Sequence, residues 1–340
     1  MKTSTYSLFL LLALLGLLAF VLDVSLGQVA IPFKEVVKSL LGLEPQKETW
    51  HYIIVHFRLP KAIVAVLAGI GLSLSGLLMQ TLFRNPLAGP YVLGLSSGSS
   101  LGVAFIVLGS GFLPVFAKEI LLSPYGIVIA SCLGSLVVLL TVLLVSKKLR
   151  DTMTLLVIGL MFSSFTNAIV SVLSYFASAE ELQKFTFWSM GSIGNVSWSN
   201  ITLLSAVLLL GLVIGIATLK PLDALLLGEN YARSMGVTIK KSRFLIIIAT
   251  SILAGGVTAF VGPIAFIGLA VPHLAKILLQ TSHHKLLFFG TVGIGAILML
   301  LCDLLSQLPG CDFTLPLNAI TSLFGAPIVI WLLVRKKTLR

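Results

Sequence analysis

The sequence predicts an all-α integral membrane protein that forms one domain, residues 1–340, with about ten transmembrane helices. Its composition is the first observation: 57% of the residues are hydrophobic, only 10% are charged, and the mean hydropathy is +1.09. A soluble domain carries roughly 25% charged residues, so this chain could not cover the surface of a water-soluble globule. The apolar residues also run consecutively over about twenty positions, which predicts spanning helices and excludes an alternating β-barrel pattern.

The uncharged stretches between charged residues give the number of helices. There are nine of them, at 3–22, 62–83, 85–117, 120–146, 152–179, 185–219, 244–275, 286–302 and 313–334. The seventh stretch contains Gly262-Pro263 and Pro272-His273, and proline removes a helical hydrogen bond. We therefore expect a helix that is broken twice in this stretch, which then supplies two of ten spans. Broken helices inside a bilayer indicate backbone that lines a cavity or belongs to a moving element.

Basic residues predict the orientation of the spans. They concentrate in three segments, 147–150, 220–243 and 335–340. Cytoplasmic loops carry the excess of Lys and Arg, and ten spans place all three segments and both termini in the cytoplasm. The outer loops are then 28–57, 110–122, 178–198 and 307–316. The net charge of +11 is explained by these loops, and the sequence offers no compact basic face for nucleic acid.

Motifs for catalysis are absent from the sequence. It contains no GxxxxGK[ST] phosphate-binding loop, no HExxH and no GxSxG. Cys132, Cys302 and Cys311 have no metal-binding or disulfide spacing, and the adjacent residues His283 and His284 point about 100° apart on a helix. We therefore predict a chain that is not an enzyme and holds no metal or cofactor.

Two charged or amphipathic segments are unusual for lipid-facing helices. Arg58-Leu59-Pro60-Lys61 places a proline between two cations at an outer helix start, where it presets the turn. The sequence therefore predicts that Arg58 and Lys61 are held outward, where they could receive acidic residues of a soluble partner. Residues 225–237 lie in the predicted cytoplasmic loop 219–243 and contain two glycines, Gly228 and Gly236. The same stretch carries the apolar residues Leu225, Leu226, Leu227 and Met235. Apolar residues in such a loop should bury against a partner protein or the membrane surface.

These segments occur in an ordered series that resembles a known family. The series is RLPK, RNPLAGPYVLGLSSG, FWSMGSIG, LGENYARSMGV, GPIAFIGLAVPH and LFGAP, and it covers about residues 50–334. It is similar to the FecCD-type permeases of bacterial ABC importers for ferric siderophores, haem and cobalamin. The resemblance implies a cobalamin-importer-permease-like fold in the bacterial plasma (inner) membrane. It also implies a permease homodimer among membrane lipids, two ATPase subunits that bind the ATP, and a periplasmic or lipid-anchored substrate-binding protein.

The resemblance also assigns roles to particular residues. Arg58 and Lys61 match the outer corner that docks the binding protein, and Thr152 and Met153 match the cytoplasmic gate. The ATPase-coupling residues would be Leu227, Gly228, Glu229, Ala232, Arg233 and Gly236. The sequence departs from the family pattern at Lys61, Gln307, Thr314 and Asn318, which makes the docking corner less basic.

The leading functional hypothesis is therefore a permease subunit that imports an iron chelate, either a siderophore or haem, by alternating access. A cobalamin permease of the same family is the alternative. From a different class, a carrier driven by an ion gradient would need a chain of buried ionisable groups, and Asp303 is the main carboxylate within the spans. A membrane enzyme is a third possibility, against which the missing motifs argue.

Overall fold

The computed structural model describes residues 2–43, 46–112, 114–146, 152–194, 196–307 and 314–337. The predicted cytoplasmic cations Lys147, Lys148, Arg150 and Arg340, and also Cys311, lie outside these residues. Sixteen α-helices follow one another along the described chain: α1 (Lys2–Ser25), α2 (Phe33–Leu40), α3 (Glu48–Ile53), α4 (Leu59–Leu82), α5 (Leu95–Val107), α6 (Val115–Leu121), α7 (Pro124–Ser146), α8 (Thr152–Phe176), α9 (Ala179–Ser189), α10 (Trp198–Ala217), α11 (Leu219–Leu227), α12 (Glu229–Ser234), α13 (Ile239–Val261), α14 (Ile267–Leu279), α15 (His284–Ser306) and α16 (Leu317–Lys337).

The helices agree with the predicted all-α membrane fold. Seven helices of the described chain are long and apolar enough to cross a membrane. One is the continuous helix from Glu48 to Leu82, which includes α4, and the others are α1, α7, α8, α10, α13 and α15. Three shorter apolar helices lie between or after them, namely α5, α14 and the apolar part of α16. Together they occupy the positions of the ten spans expected from the uncharged stretches. The amphipathic helices α2, α6, α9, α11 and α12 lie in the connections.

Helix α4 is the centre of the fold, and it packs against α13, α14 and α15. Its close contacts depend on glycine: a Cβ on Gly69 would lie 2.2 Å from the carbonyl oxygen of Gly295, and a Cβ on Gly76 would lie 1.7 Å from that of Gly268. Small residues let helix backbones approach each other, which is how packing holds helices together in a membrane. Helix α8, by contrast, has only 11% of its apolar window buried and lies at the periphery.

The outer segment before α4 differs from the predicted loop at 28–57. Helix α3 continues through a π-helical turn, Ile54–Arg58, into α4, so one apolar helix runs from Glu48 to Leu82. In the π-helical turn the N–H of Leu59 bonds to the carbonyl of Ile54, five residues back. Pro60 follows directly and has no N–H to give to an ordinary helical turn. The proline, which we read as a helix start, therefore lies inside a longer helix.

The stretch 244–275 contains one break, not two. Helix α13 ends at Val261 and α14 begins at Ile267, with positive φ at Gly262 and Phe266. The expected second break, at Pro272-His273, is wrong because α14 continues through Pro272. Pro272 has no N–H for the carbonyl of Gly268, four residues earlier, and the next carbonyl, that of Leu269, accepts a 3.1 Å hydrogen bond from Gln80 Nε2 of α4. Neighbouring helices satisfy backbone groups near a proline in this way.

Candidate functional site

A cluster of largely buried polar and charged residues joins the ends of α1, α4 and α15 that the sequence predicts to be the outer ones. Lys61 Nζ lies 3.0 Å from Asp303 Oδ1, and the Asp303 side chain is 1% exposed. Gln307 Nε2 donates to Asp303 Oδ2 at 3.1 Å and is 3.3 Å from Asp23 Oδ1. Arg58 donates to the carbonyl oxygens of Val24, Ser25 and Val29 at the C-terminal end of α1. Cations near the C-terminus of a helix stabilise its unpaired carbonyls.

This cluster changes the picture of the two predicted docking cations. Arg58 is 8% exposed and turned inward, so the expected outward position of its guanidinium is wrong. The carbonyls of α1 and the nearby carboxylates hold it there. Lys61 is partly exposed, at 17%, and borders an outer cavity of about 320 Å³ together with Thr314. The docking role of the two residues stays a prediction. In this conformation only the Lys61 side chain is accessible from the cavity.

The predicted cytoplasmic segment forms two short helices, α11 and α12, separated by Gly228 and followed by Gly236. Both glycines have positive φ, at +120° and +80°, and an added Cβ would meet nothing within 4 Å at either position. Leu225 is buried, but four other large apolar side chains of the segment are between 44% and 66% exposed: Leu226, Leu227, Tyr231 and Met235. A patch of this kind on a monomer indicates a surface that another molecule covers.

The six predicted coupling residues do not share one environment. Leu227 and Arg233 are exposed on the segment. Ala232 is completely buried, so it holds α12 against the membrane helices and does not face a partner. Glu229 forms a short ion pair with Arg243 of α13. The segment therefore consists of an exposed apolar face and an inner face that is bound to the rest of the chain.

Four polar residues attach this segment to the ends of two membrane helices that the sequence predicts to be cytoplasmic. Asp223 Oδ1 of α11 lies 2.8 Å from the backbone N of His284 and 2.7 Å from its Nδ1. The other ring nitrogen, Nε2, lies 2.9 Å from Thr81 Oγ1 of α4. Directly after α4, Arg84 Nη2 donates to the carbonyl oxygen of Leu225 at 2.6 Å. The adjacent histidines, which we considered a poor metal site, thus include one with a structural partner on each ring nitrogen.

The remaining predicted site residues lie in two other places. Thr152 and Met153 are in the first turn of α8, and their side chains lie outside the described part of the chain. The break after Val261 meets the end of α9: the N–H of Ser192 donates to Val261 O, and a Cβ on Gly262 would lie 2.1 Å from Trp188 O. Pro263 lies within this break. Asn318 Oδ1 accepts a 3.0 Å hydrogen bond from the N–H of Ala265, so this departure from the family pattern supports the break.

Helix α9 packs beside this junction, and its first turn carries an acidic residue with a lowered pKa. Its first turn is a capping box, in which Ser178 and Glu181 bond each other's backbone N–H groups. Glu181 also accepts a short hydrogen bond from the Ser110 hydroxyl. The Ser110 hydroxyl, and then the N–H of Ser178, lower the pKa of Glu181 below its ordinary value.

A cavity of about 590 Å³ lies between α4, α5, α8, α9 and the break. The residues described around it are uncharged, and its polar members are hydroxyl and amide side chains: Ser96, Ser97, Ser100, Ser163, Asn167, Ser189 and Asn318. Ser97 Oγ of α5 bonds to Ser163 Oγ of α8 at 3.1 Å. The cavity could accept a molecule that offers oxygen or nitrogen hydrogen-bonding groups without net charge.

Several of these residues were missed by reasoning from the sequence. Asp23 is 2% exposed, but it follows an uncharged stretch and reads as the solvated end of a span. Asp223, His284 and Thr81 lie far apart along the chain, so nothing local indicates their contact. A weak signal did exist for Asp23: an acidic residue near the C-terminal end of a helix is unfavourable unless a cation is nearby.

Three comparisons with known proteins agree with one another. Residues 13–335 match the FecCD transport family. The hemin transport system permease protein HmuU of Yersinia pestis is 33% identical over 331 residues, which are 97% of this chain and 96% of that protein. The vitamin B12 import system permease protein BtuC of Citrobacter koseri is 34% identical over 281 residues, 82% of each chain.

A solved structure is similar over the same length. It is described as an inward-facing conformation of a transporter assigned to the metal-chelate type of ABC transporter. It superimposes with a TM-score of 0.80 at 29% identity and covers 97% of this chain and 99% of its own. With the family match over nearly the whole sequence and the same helical architecture, the chain belongs to the FecCD transport family.

Proposed function

We propose that this chain is the permease subunit of a binding-protein-dependent importer and that it translocates an iron chelate, a siderophore or haem, into the cytoplasm by alternating access. Members of its family are importer permeases and not enzymes, and the ATPase is a separate subunit. The observation that carries the mechanism is the exposed apolar face of α11 and α12, anchored to α4 and α15. This segment, within residues 219–243, is the docking surface for the ATPase.

The pathway in this proposal runs along α8 at the interface of a homodimer. Helix α8 is the least buried span, and its exposed face carries Ser164, Asn167 and Ser171 at helical spacing. Polar residues along an exposed membrane helix suit a pathway better than lipid. The uncharged cavity beside Ser163 and Asn167 opens from the same helix. Thr152 and Met153, at the cytoplasmic start of α8, form the gate.

The substrate assignment is supported by the relatives, one of which is a hemin transport permease that matches almost the full length. Vitamin B12 permeases match over a shorter part of the chain, so cobalamin is the second candidate. An uptake experiment decides between them. The chain is reconstituted in liposomes with its ATPase and binding protein, and haemin, a ferric siderophore and cyanocobalamin are offered separately. We expect ATP-dependent accumulation of an iron chelate; accumulation of cyanocobalamin alone would contradict the assignment.

The same preparation tests the alternative of a carrier driven by an ion gradient. A permease that depends on a separate ATPase should show no uptake when the ATPase is omitted and a proton or sodium gradient is imposed. Uptake driven by the gradient alone would favour the carrier. The chain itself, purified without its partner, should hydrolyse no ATP because it has no phosphate-binding loop.

The orientation in the inner membrane follows from the same proposal, with both termini in the cytoplasm. In a background without Cys132, Cys302 and Cys311, a cysteine at position 184 should react with an impermeant reagent added outside. A cysteine at position 233 should react only from inside. Outside labelling of a cysteine at position 338 would contradict the ten-span arrangement.

A further inference from the structure

We propose that Asp223 and His284 are the positioning residues through which the ATPase-docking segment moves α4 and α15 as one unit. The proposal rests on the proposed function of α11 and α12 and adds the connection through which their displacement reaches the membrane helices. Neither Asp223 nor His284 is among the six predicted coupling residues.

Asp223 is bound to the start of α15 by two hydrogen bonds. Its Oδ1 accepts from the backbone N–H of His284 at 2.8 Å and lies 2.7 Å from His284 Nδ1. A carboxylate oxygen can only accept, so Nδ1 carries a proton and donates it. The first N–H groups of a helix have no partner within the helix, and a carboxylate there also interacts favourably with the helix dipole. Helix α11 thus supplies a cap for α15 from outside it.

His284 extends this connection to α4. The imidazole is 1% exposed, and its Nε2 lies 2.9 Å from Thr81 Oγ1. Arg84, just after α4, independently donates to the carbonyl of Leu225 in α11 at 2.6 Å. Helix α11 is therefore bound to the cytoplasmic ends of both membrane helices, and a buried imidazole with partners on both sides cannot change its position without them.

Helices α4 and α15 are also joined to each other along their length. The backbones meet at Gly69 and Gly295, where a Cβ on either residue would lie 2.6 Å or less from a carbonyl oxygen of the other. At their predicted outer ends, partly exposed Lys61 forms an ion pair with buried Asp303. The two helices are thus joined to each other in the middle and at the predicted outer end. A force on their predicted cytoplasmic ends therefore moves them as a rigid pair. Coupling between the ATPase-docking segment and the opposite ends of the helices requires one continuous structural element whose position both sites influence.

The test uses the complete importer in liposomes, with permease, ATPase and binding protein. Asp223→Ala removes both acceptor contacts, Asp223→Asn keeps an acceptor oxygen, and His283→Asn is the matched control. His283 is the neighbouring, 61% exposed histidine. Its Nε2 lies 3.8 Å from Asp223 Oδ2, beyond hydrogen-bond distance, and asparagine preserves its role as helix cap. The readout is the amount of chelate accumulated per ATP hydrolysed, with haemin, a ferric siderophore or cyanocobalamin as the probe that the wild type accumulates. Spin labels on α12 and the outer end of α15 measure the distance change on ATP binding in parallel.

We expect Asp223→Ala to lower the transport ratio about five-fold or more, the lower bound for a typical coupling free energy, while ATP hydrolysis and ATPase binding persist. The ATP-dependent distance change should shrink with it, Asp223→Asn should be intermediate, and His283→Asn should equal the wild type. A merely structural role would lower thermal stability and uptake with the ratio unchanged, and that result would overturn the proposal, as would an unchanged distance response. If the proposed function itself is wrong, the wild type will fail to bind the ATPase or to respond to ATP.

Discussion

The two ends of α4 and α15, which the sequence predicts to be outer and cytoplasmic, are both held by ionisable residues, but the two sets are built differently. At the predicted outer end, Lys61 and Gln307 both bind Asp303, which is almost completely buried. At the cytoplasmic end, Asp223 and His284 bind each other across a boundary, because Asp223 belongs to a segment whose opposite face is exposed. The first set fixes helices to one another, whereas the second connects helices to a surface that a partner can push.

This difference suggests different roles for the two sets of ionisable residues. A buried ion pair stabilises little when compared with apolar packing, but removing one partner strands the other charge. The outer residues are therefore expected to affect whether the protein assembles. The cytoplasmic residues are expected to affect whether an assembled protein works.

The largest expected effect is at Lys61. Lys61→Ala leaves Asp303 buried next to Asp23 and Gln307 without its cation, and we expect a loss of about 3–5 kcal/mol in the free energy of unfolding. The measurement is thermal unfolding in detergent, followed by size-exclusion chromatography. Lys184→Ala is the control, because its partner Glu180 is exposed on α9, and no measurable shift is expected. If Lys61→Ala and Lys184→Ala have the same melting temperature, the ion pair with buried Asp303 stabilises the protein no more than the exposed pair does, and the prediction is wrong.

The same consideration applies to charge reversal at the docking corner. Arg58→Glu would place a carboxylate among the carbonyls of Val24, Ser25 and Val29 and beside Asp23. We expect this protein to be lost from the membrane before docking can be measured. A test of docking should therefore use Lys61→Arg, which keeps the charge.

An intermediate effect is expected at Gly228. Its φ of +120° is strained for any other residue, although nothing lies within 4 Å of an added Cβ, so Gly228→Val distorts the α11–α12 turn without a clash. Transport and ATPase affinity should fall while the amount of inserted protein stays normal. Gly42→Val is a matched control: it also has positive φ and empty surroundings, but it lies in the outer connection. Normal ATPase binding by Gly228→Val in a pull-down would show that this segment is not the docking surface.

The smallest effect is expected at Glu181, on the exposed outer helix α9. Its pKa is lowered from 4.5 by the Ser110 hydroxyl and the N–H of Ser178. Because the pKa of Glu181 is lower in the folded state than in the unfolded state, its ionised carboxylate stabilises the fold at pH values above the unfolded-state pKa. This stabilisation is lost as the pH falls through the folded-state pKa. Hydrogen exchange in the first turn of α9 should therefore accelerate at acidic pH. Glu181→Gln preserves the capping box without titrating, and it should remove that pH dependence.

Sequence reasoning predicted the spans well and the contacts poorly, for a physical reason. The length of a membrane helix is set by local hydropathy, so the ten spans and the break after Val261 could be inferred from consecutive residues. The prediction of a break at Pro272 was wrong because α14 continues through it, packed against α4, whose Gln80 also binds the carbonyl of Leu269. The inward turn of Arg58 depends on α1, which is separated from it by more than thirty residues along the chain.

The site shows the same division. Gly228 and Gly236 could be recognised as the ends of short helices because their role is local and depends on φ. The contact between Asp223, His284 and Thr81 joins three helices that are distant in sequence, and a single sequence carries no signal for it. Ala232, predicted as a partner contact, proved to be buried because sequence position alone does not distinguish the two faces of so short a helix.

The π-helical turn at Ile54–Arg58 has a consequence for how this outer segment can vary among homologues. A π-helical turn accommodates one more residue than an α-helical turn, and each residue rotates a helix by about 100°. Because the wide turn absorbs the extra residue, deleting one residue between Ile54 and Arg58 would restore a regular α-helix and leave the faces of α3 and α4 in nearly the same register. Deleting a residue from the regular part of α4 would instead rotate Arg58 by about 100° relative to the packed helix and separate it from the end of α1. We therefore expect a single-residue change in length to be tolerated at this turn and not in the first turns of α4.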